Sequence, residues 1–205
     1  MAFHPEVLST KTQKVFVLLS DVLRNNFYLG GGTGLALRIG HRISYDLDFF
    51  APKHFNESQM IQKLSARGQF QLEDKSEQTV IGILNDVKVS FLGYQYPLLS
   101  PLHKFNKSMI AGVLDIACMK IDAIASRGAK RDFIDVYFVA KEVMPLPEIL
   151  DKFKKKYATL HYNLIHIKKS LVYFQDADHD PLPSMLKSVD WKEVKEFFIQ
   201  EIMKN

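Results

Sequence analysis

The feature that most constrains the fold is a triple glycine placed between two kinds of periodicity. Phe27-Tyr28-Leu29 is a short β-prone run that stops abruptly at Gly30-Gly31-Gly32. Thr33 then opens a short helix, Gly34–Gly40, and a second strand follows over Asp46–Phe50. Along a strand, side chains alternate between faces, so Asp46, Asp48 and Phe50 share one side while Leu47 and Phe49 share the other. Backbone N–H groups at a helix N-terminus, unshielded by side chains, can seat phosphate oxygens. Gly31, Gly32 and Thr33 are the residues placed to do so.

The pair Asp46 and Asp48 sharpens that reading. Their backbones lie about 6–7 Å apart, so their oxygens can converge on one or two hard cations. Asp is a poor strand former, and this pair sits among Leu47, Phe49 and Phe50. Two like charges held together favour a cation between them. Mg²⁺ suits such a site, because a few carboxylates and substrate phosphates complete its shell. A phosphate seat beside a carboxylate pair is what nucleotidyl transfer requires.

The rest of the chain divides in two. Val15–Leu23 has helical spacing behind the capping-type Ser9-Thr10, and Gln59–Arg67 reads as a further helix. Strands Thr79–Leu84 and Val87–Leu92 flank Asn85-Asp86, a good hairpin pair. Tyr94–Leu102, with Pro97 and Pro101, reads as a connector. From Asp115 onward the pattern is helical, broken near Gly128, at Pro145–Pro147 and at Asp180–Pro183. This predicts an α+β chain: an α/β domain over residues 1–110 and a helical domain over 111–205.

In the helical half, Lys120, Ala123 and Arg127 share one helix face. Facing the carboxylates, the two cations would bind a triphosphate; otherwise they are surface charges paired with Asp122 or Asp132. Gly128 is suited to a left-handed cap, after which Arg131-Asp132-Phe133-Ile134-Asp135 begins another helix. Asp132 and Asp135 then serve as acids of a first turn, orient Lys120 and Arg127, or reach the metal. His41 and Arg42 either hold the loop through Asp46 or Ser44, or touch substrate.

Several classes are excluded or left without support. No apolar run approaches the roughly 18 residues of a membrane span, and MAFHPEVLSTKTQKVF has no secretory apolar core. The one cysteine, Cys118, allows no internal disulfide and reads as a buried helix residue. His161 and His166, five apart without an acidic neighbour, do not suggest zinc. A soluble cytoplasmic protein is expected. The net charge of +4 tolerates a polyanionic partner without announcing one. Lys152, Lys154, Lys155, Lys156, Lys168 and Lys169 are expected on solvated helix faces.

GGGTGLALRIGHRISYDLDFF resembles the signature of the AbiEii/AbiGii toxin-like nucleotidyltransferases, relatives of the DNA polymerase β superfamily. DIACMKIDAIASRGAKRDFIDVYFV is similar to that family's later K-x-x-A-x-x-x-R and R-D-x-x-D motifs, and KSLVYFQDADHDPLP with WKEVKEFF resembles its C-terminal region. The resemblance spans roughly residues 25–200. It implies a polymerase β-like mixed sheet with flanking helices, Mg²⁺, an NTP, and Lys120 at the phosphates. It also implies a toxin of the phage-abortive type IV arrangement, with a cognate antitoxin and tRNA or another RNA as acceptor. One position departs from the pattern. The superfamily's third carboxylate falls at Ser90, and Asp86 lies about 13 Å along the strand from it. The site then rests on two acids, or recruits Asp132 or Asp135. Otherwise the chain is a nucleotide-binding regulatory protein with little or no turnover. A housekeeping small-molecule nucleotidyltransferase is a third reading.

Overall fold

The computed structural model describes residues 2–23, 26–160 and 162–204; His161 lies outside them. In chain order the α-helices and strands are α1 (Thr10–Leu18), β1 (Tyr28–Leu29), α2 (Gly31–Ile39), β2 (Leu47–Ala51), α3 (Glu57–Ser65), β3 (Phe70–Ser76), β4 (Thr79–Leu84) and β5 (Val87–Gly93). They continue as β6 (His103–Phe105), β7 (Ser108–Ile110), α4 (Val113–Arg127), α5 (Lys130–Glu142), α6 (Leu146–Lys156), α7 (Leu164–Ser170), α8 (Gln175–His179) and α9 (Trp191–Met203). The strands form one mixed sheet in the order β3-β4-β5-β2-β1-β7-β6. The α+β fold expected above is what forms.

Alternation on β2 separates two hydrophobic cores. Leu47 and Phe49 join the core on one side of the sheet with Phe16, Leu64 and Phe91. Phe50 joins the other with Tyr28, Ile116, Phe133 and Phe153, drawn mainly from the helical half. Each fully buried Leu or Phe contributes about 1.5–3 kcal/mol relative to exposure. Helix α2 belongs to both cores: Leu35 and Ile39 enter one, Ala36 and Leu37 the other. A helix buried on every side is fixed rigidly, and its N-terminus is where the glycine turn lies.

Local signals hold well. Ser9 caps α1 through Thr12 N–H at 3.1 Å, although the helix ends at Leu18 rather than Leu23. Asn85 and Asp86 take φ of 48° and 65°, the left-handed pair of a tight hairpin. Gly128 ends α4 at φ 60°. Helix α2 starts earlier than the expected Gly34, and β2 begins at Leu47, leaving Asp46 just before the strand.

Strands β6 and β7, in the stretch read only as a boundary, were not expected, and neither were the next two features. β3 was not foreseen, because QLEDKS shows no buried alternation; it is an exposed edge strand, where charges discourage pairing with other chains. Lys156 is not solvated. It is 1% exposed and donates to Asp115 Oδ1 at 2.7 Å and Pro97 O at 2.8 Å. Its spacing from Ile149 and Phe153 puts it on the buried face of α6. Among the described residues, no helix is long and apolar enough to cross a membrane.

Candidate functional site

The glycines make room for side chains as well as for ligand. Gly30 N–H donates to Asp48 O at 3.0 Å, tying the start of α2 to β2. Gly31 has φ +57°, and a Cβ there would fall 2.4 Å from Asp48 Oδ2. A Cβ on Gly32 would fall 2.3 Å from Arg42 Nη2. Of the three, Gly32 borders the cleft described below. Thr33 does not: it is 1% exposed, and its hydroxyl bonds Ser44 Oγ and the Asp46 carbonyl. Thr33 and Ser44 thus brace the loop that delivers Asp46.

Asp48 lies in parallel register with Ser90 across β2 and β5, so the strand position expected for a third carboxylate is filled by a hydroxyl beside Asp48. Burial raises the Asp48 carboxyl above its ordinary range; the Ser90 hydrogen bond and Lys120 oppose this, while Asp46 adds to it. Asp46 is more open, with 39% of its side chain exposed and Arg131 at 3.8 Å. A recessed carboxylate that resists ionisation, next to a second carboxylate, fits a hard divalent cation. Among the described residues no group of three or more His, Cys, Asp or Glu could hold a metal alone. A cation held by Asp46 and Asp48 would need further ligands, such as substrate oxygens or water.

Near enough to act on Asp48 is a largely buried network of charge that includes Lys120 and the half-exposed Arg127. Lys120 Nζ lies 2.6 Å from Asp132 Oδ1 and 2.7 Å from Asp135 Oδ2. Arg127 donates from Nε to Asp132 Oδ2 at 2.8 Å. Arg42 forks onto Asp135 at 2.7 and 2.9 Å, and His41 Nε2 adds a contact at 2.8 Å. Since a carboxylate only accepts, Nε2 carries the His41 proton. Burial also lowers the His41 pKa, so the ring is neutral. Burial would raise Asp135, but Arg42 and Lys120 hold it well below the usual carboxylate range. Asp132 is also lowered, by Lys120 and Arg127 against its own burial.

These contacts show which partners each residue has. Both oxygens of Asp135 are engaged and the side chain is fully buried, so it orients Lys120 and offers no free oxygen to a metal. Asp132 does the same for Lys120 and Arg127. His41 and Arg42 hold Asp135, rather than Asp46 or Ser44. Lys120 has three donors, two of which face these carboxylates, leaving one for the cleft.

The cleft itself has a volume of about 830 Å³ and is bordered by Gly32, Asp46, Asp48, Ser90, Lys120, Arg127 and Arg131. Sequence reasoning missed further parts of its wall, among them Tyr45, Lys88 and the segment 180–184. In the sequence that segment showed itself as a proline break and as the end of the family-like KSLVYFQDADHDPLP block, neither of which placed it at the cleft. It crosses from the helical half to the loop before β2, where Ser184 O accepts from Ile43 N at 2.8 Å. At its start, Asp180 Oδ2 accepts from Lys130 N at 2.9 Å, at the head of α5.

The cleft on this sheet defines a class before it defines a family. The fold is similar to that of MenT4, a nucleotidyltransferase toxin from Mycobacterium tuberculosis H37Rv (TM-score 0.59, 15% identity, covering 92% of this chain and 80% of that one). It is also similar to JHP933 from Helicobacter pylori (TM-score 0.56, 16% identity, 98% and 92%). The fold is thus that of nucleotidyltransferases. Residues 17–100 match the family model described as nucleotidyl transferase AbiEii toxin, type IV TA system. The uncharacterized protein aq_aa25 of Aquifex aeolicus (strain VF5) is 43% identical over 187 residues, covering 87% of each chain. The chain belongs to the AbiEii family of nucleotidyltransferase toxins.

Proposed function

We propose that this protein transfers a nucleotidyl group from an NTP to the hydroxyl of an RNA acceptor such as tRNA, with Mg²⁺ held by Asp46 and Asp48. The observation that carries the reading is that Asp46, Asp48, Lys120 and Arg127 border one nucleotide-sized cleft, with both cations close enough to act on Asp48. Gly32 and the N-terminus of α2, with Lys120 and Arg127, bind the triphosphate. Lys120 offsets charge building on the leaving pyrophosphate during in-line attack at the α-phosphorus. Asp132, Asp135, Arg42 and His41 fix Lys120 in place before substrate arrives. Bound Mg²⁺ supplies charge neutralisation and alignment of the phosphate oxygens. The type IV family assignment also supports a cognate antitoxin as partner.

Ser90 supports a second reading, a nucleotide-binding regulator that turns over weakly, since its place beside Asp48 supplies no third charge. Purified protein incubated with each α-labelled NTP, Mg²⁺ and total tRNA separates the two. Label transferred to RNA is expected. NTP binding without transfer to tRNA or any other acceptor would favour the regulator.

A further inference from the structure

Five cationic side chains are among the residues bordering the cleft, and four of them pair with acids other than Asp46 and Asp48. Arg42 forks onto Asp135, and Lys120 lies between Asp132 and Asp135. Arg127 holds Asp132, and Lys88 pairs with Glu73 at 3.2 Å. Arg131 differs. Among the described residues its one ion pair is with Asp46 itself, Nη1 lying 3.8 Å from Oδ2 between two half-open side chains. We infer that Arg131 has two partners in turn: Asp46 first, then a phosphate oxygen of the triphosphate once Mg²⁺ takes that carboxylate. The inference rests on the transferase reading above and adds to it a further nucleotide-binding residue, one that couples the metal to the triphosphate.

The place of Arg131 in the fold favours this. It stands in the first turn of α5, a 13-residue helix, where the helix dipole disfavours a cation. The helix therefore does not stabilise the charge there, and the anion it faces must. Arg42 also lies near enough to feel Asp46, but its Nε and Nη2 are held by Asp135. The Arg131–Asp46 pair is long and exposed, and such pairs hold little free energy, so a divalent cation can displace the guanidinium. Oxygens that share one Mg²⁺ are close neighbours in its octahedral shell. A phosphate bound to the ion on Asp46 therefore comes within reach of the guanidinium that the ion released. Mg²⁺ alone competes with a cation already on Asp46, whereas Mg²⁺ with a triphosphate gives that cation a new partner. The two ligands should therefore bind cooperatively.

The test is titration calorimetry with two probes: Mg²⁺ alone, and inorganic tripolyphosphate in excess Mg²⁺, which carries the triphosphate charge without a base. Arg131→Gln should tighten Mg²⁺ alone at least about threefold, because a neighbouring like charge is gone. The same variant should weaken tripolyphosphate at least about tenfold, through loss of a charge-assisted hydrogen bond. Arg131→Lys should leave Mg²⁺ affinity near that of the unsubstituted protein and lose part of the tripolyphosphate affinity, since an ammonium keeps the charge without the planar fork. Lys88→Gln removes a cation that borders the same cleft but pairs with Glu73, and should change both affinities less than Arg131→Gln does. The opposite signs are the signature, because a merely structural lesion at Arg131 would weaken both probes. Both affinities falling in Arg131→Gln, or neither changing, would overturn the assignment, as would equal changes in Lys88→Gln. An unsubstituted protein that binds neither probe would instead overturn the transferase reading, and this inference with it.

Discussion

Lys120 and Lys156 are both buried lysines paired with buried aspartates, and only Lys120 borders the cleft. Lys156 meets Asp115 and the Pro97 carbonyl, while Asp115 also accepts from Leu99 N at 2.8 Å and Ser100 N at 3.0 Å. Every partner is internal, so this cluster staples the 97–100 connector to α4 and α6. Lys120 meets Asp132 and Asp135 but still borders the cleft. Burial and pairing alone therefore do not separate the two lysines. What sets Lys120 apart is a donor left over and an opening for that donor to face.

The largest expected effect separates the two lysines. Lys120→Met should lower transfer about 10²–10³-fold, the range for removing one preorganised electrostatic donor. Its stability loss should be moderate, since Arg42 and His41 still hold Asp135 and Arg127 still holds Asp132. Lys156→Met should show the reverse: a loss of about 3–5 kcal/mol from an uncompensated buried charge, with transfer retained at a temperature where it remains folded. Urea melts and label-transfer rates on both variants decide the matter. Equal losses of transfer in the two would erase the distinction drawn here.

The two clusters were also unequally legible in the sequence. Lys120 was found because its helix face and its motif are local, as were the glycine turn, Asp46-Leu47-Asp48, the Asn85-Asp86 hairpin and the Gly128 cap. Lys156 could have been found from its spacing to Ile149 and Phe153, but its neighbours Lys154 and Lys155 disguised it as part of a solvated run. The partners of Asp135 were out of reach. His41 and Arg42 precede it by more than ninety residues, and charge pairing across that distance leaves no period in a sequence. The same holds for segment 180–184, whose place in the cleft wall depends on backbone hydrogen bonds to residues near position 43.

A smaller effect concerns acid. Asp132 and Asp135 have folded pKa values below their ordinary ones, so each adds stability that is fully present above the unfolded carboxylate value of about 3.9. That contribution is lost as pH falls through the depressed folded values. Asp135→Asn should therefore be less stable than the unsubstituted protein at pH 7, with a gap that narrows below about pH 4. Urea midpoints measured from pH 7 towards pH 2 test this. A constant gap across that range would mean that Asp135 acts through shape and hydrogen bonding rather than charge.

The smallest effect lies at Ser90, and it sharpens the contrast between charges that are paired and charges that await a partner. Both oxygens of Asp135 are held by Lys120, Arg42 and His41, so it is not free to act as a third ligand in this arrangement. Ser90→Asp would place a carboxylate in register with Asp48 and remove the hydroxyl that now steadies it. Burial already raises the Asp48 carboxyl, and a second like charge would raise it further. A raised carboxyl contributes stability below its unfolded pKa and loses it as pH rises through the folded value. The metal-free variant should therefore be weaker by about 1–2 kcal/mol at pH 7, one pKa unit being about 1.4 kcal/mol. That deficit should fade towards pH 4. Millimolar Mg²⁺ should narrow it at neutral pH by binding between the carboxylates. Melting temperatures in EDTA and in Mg²⁺, for both proteins, give the comparison. If Mg²⁺ shifts the two equally, a carboxylate at this position does not face the cation that Asp46 and Asp48 are proposed to hold.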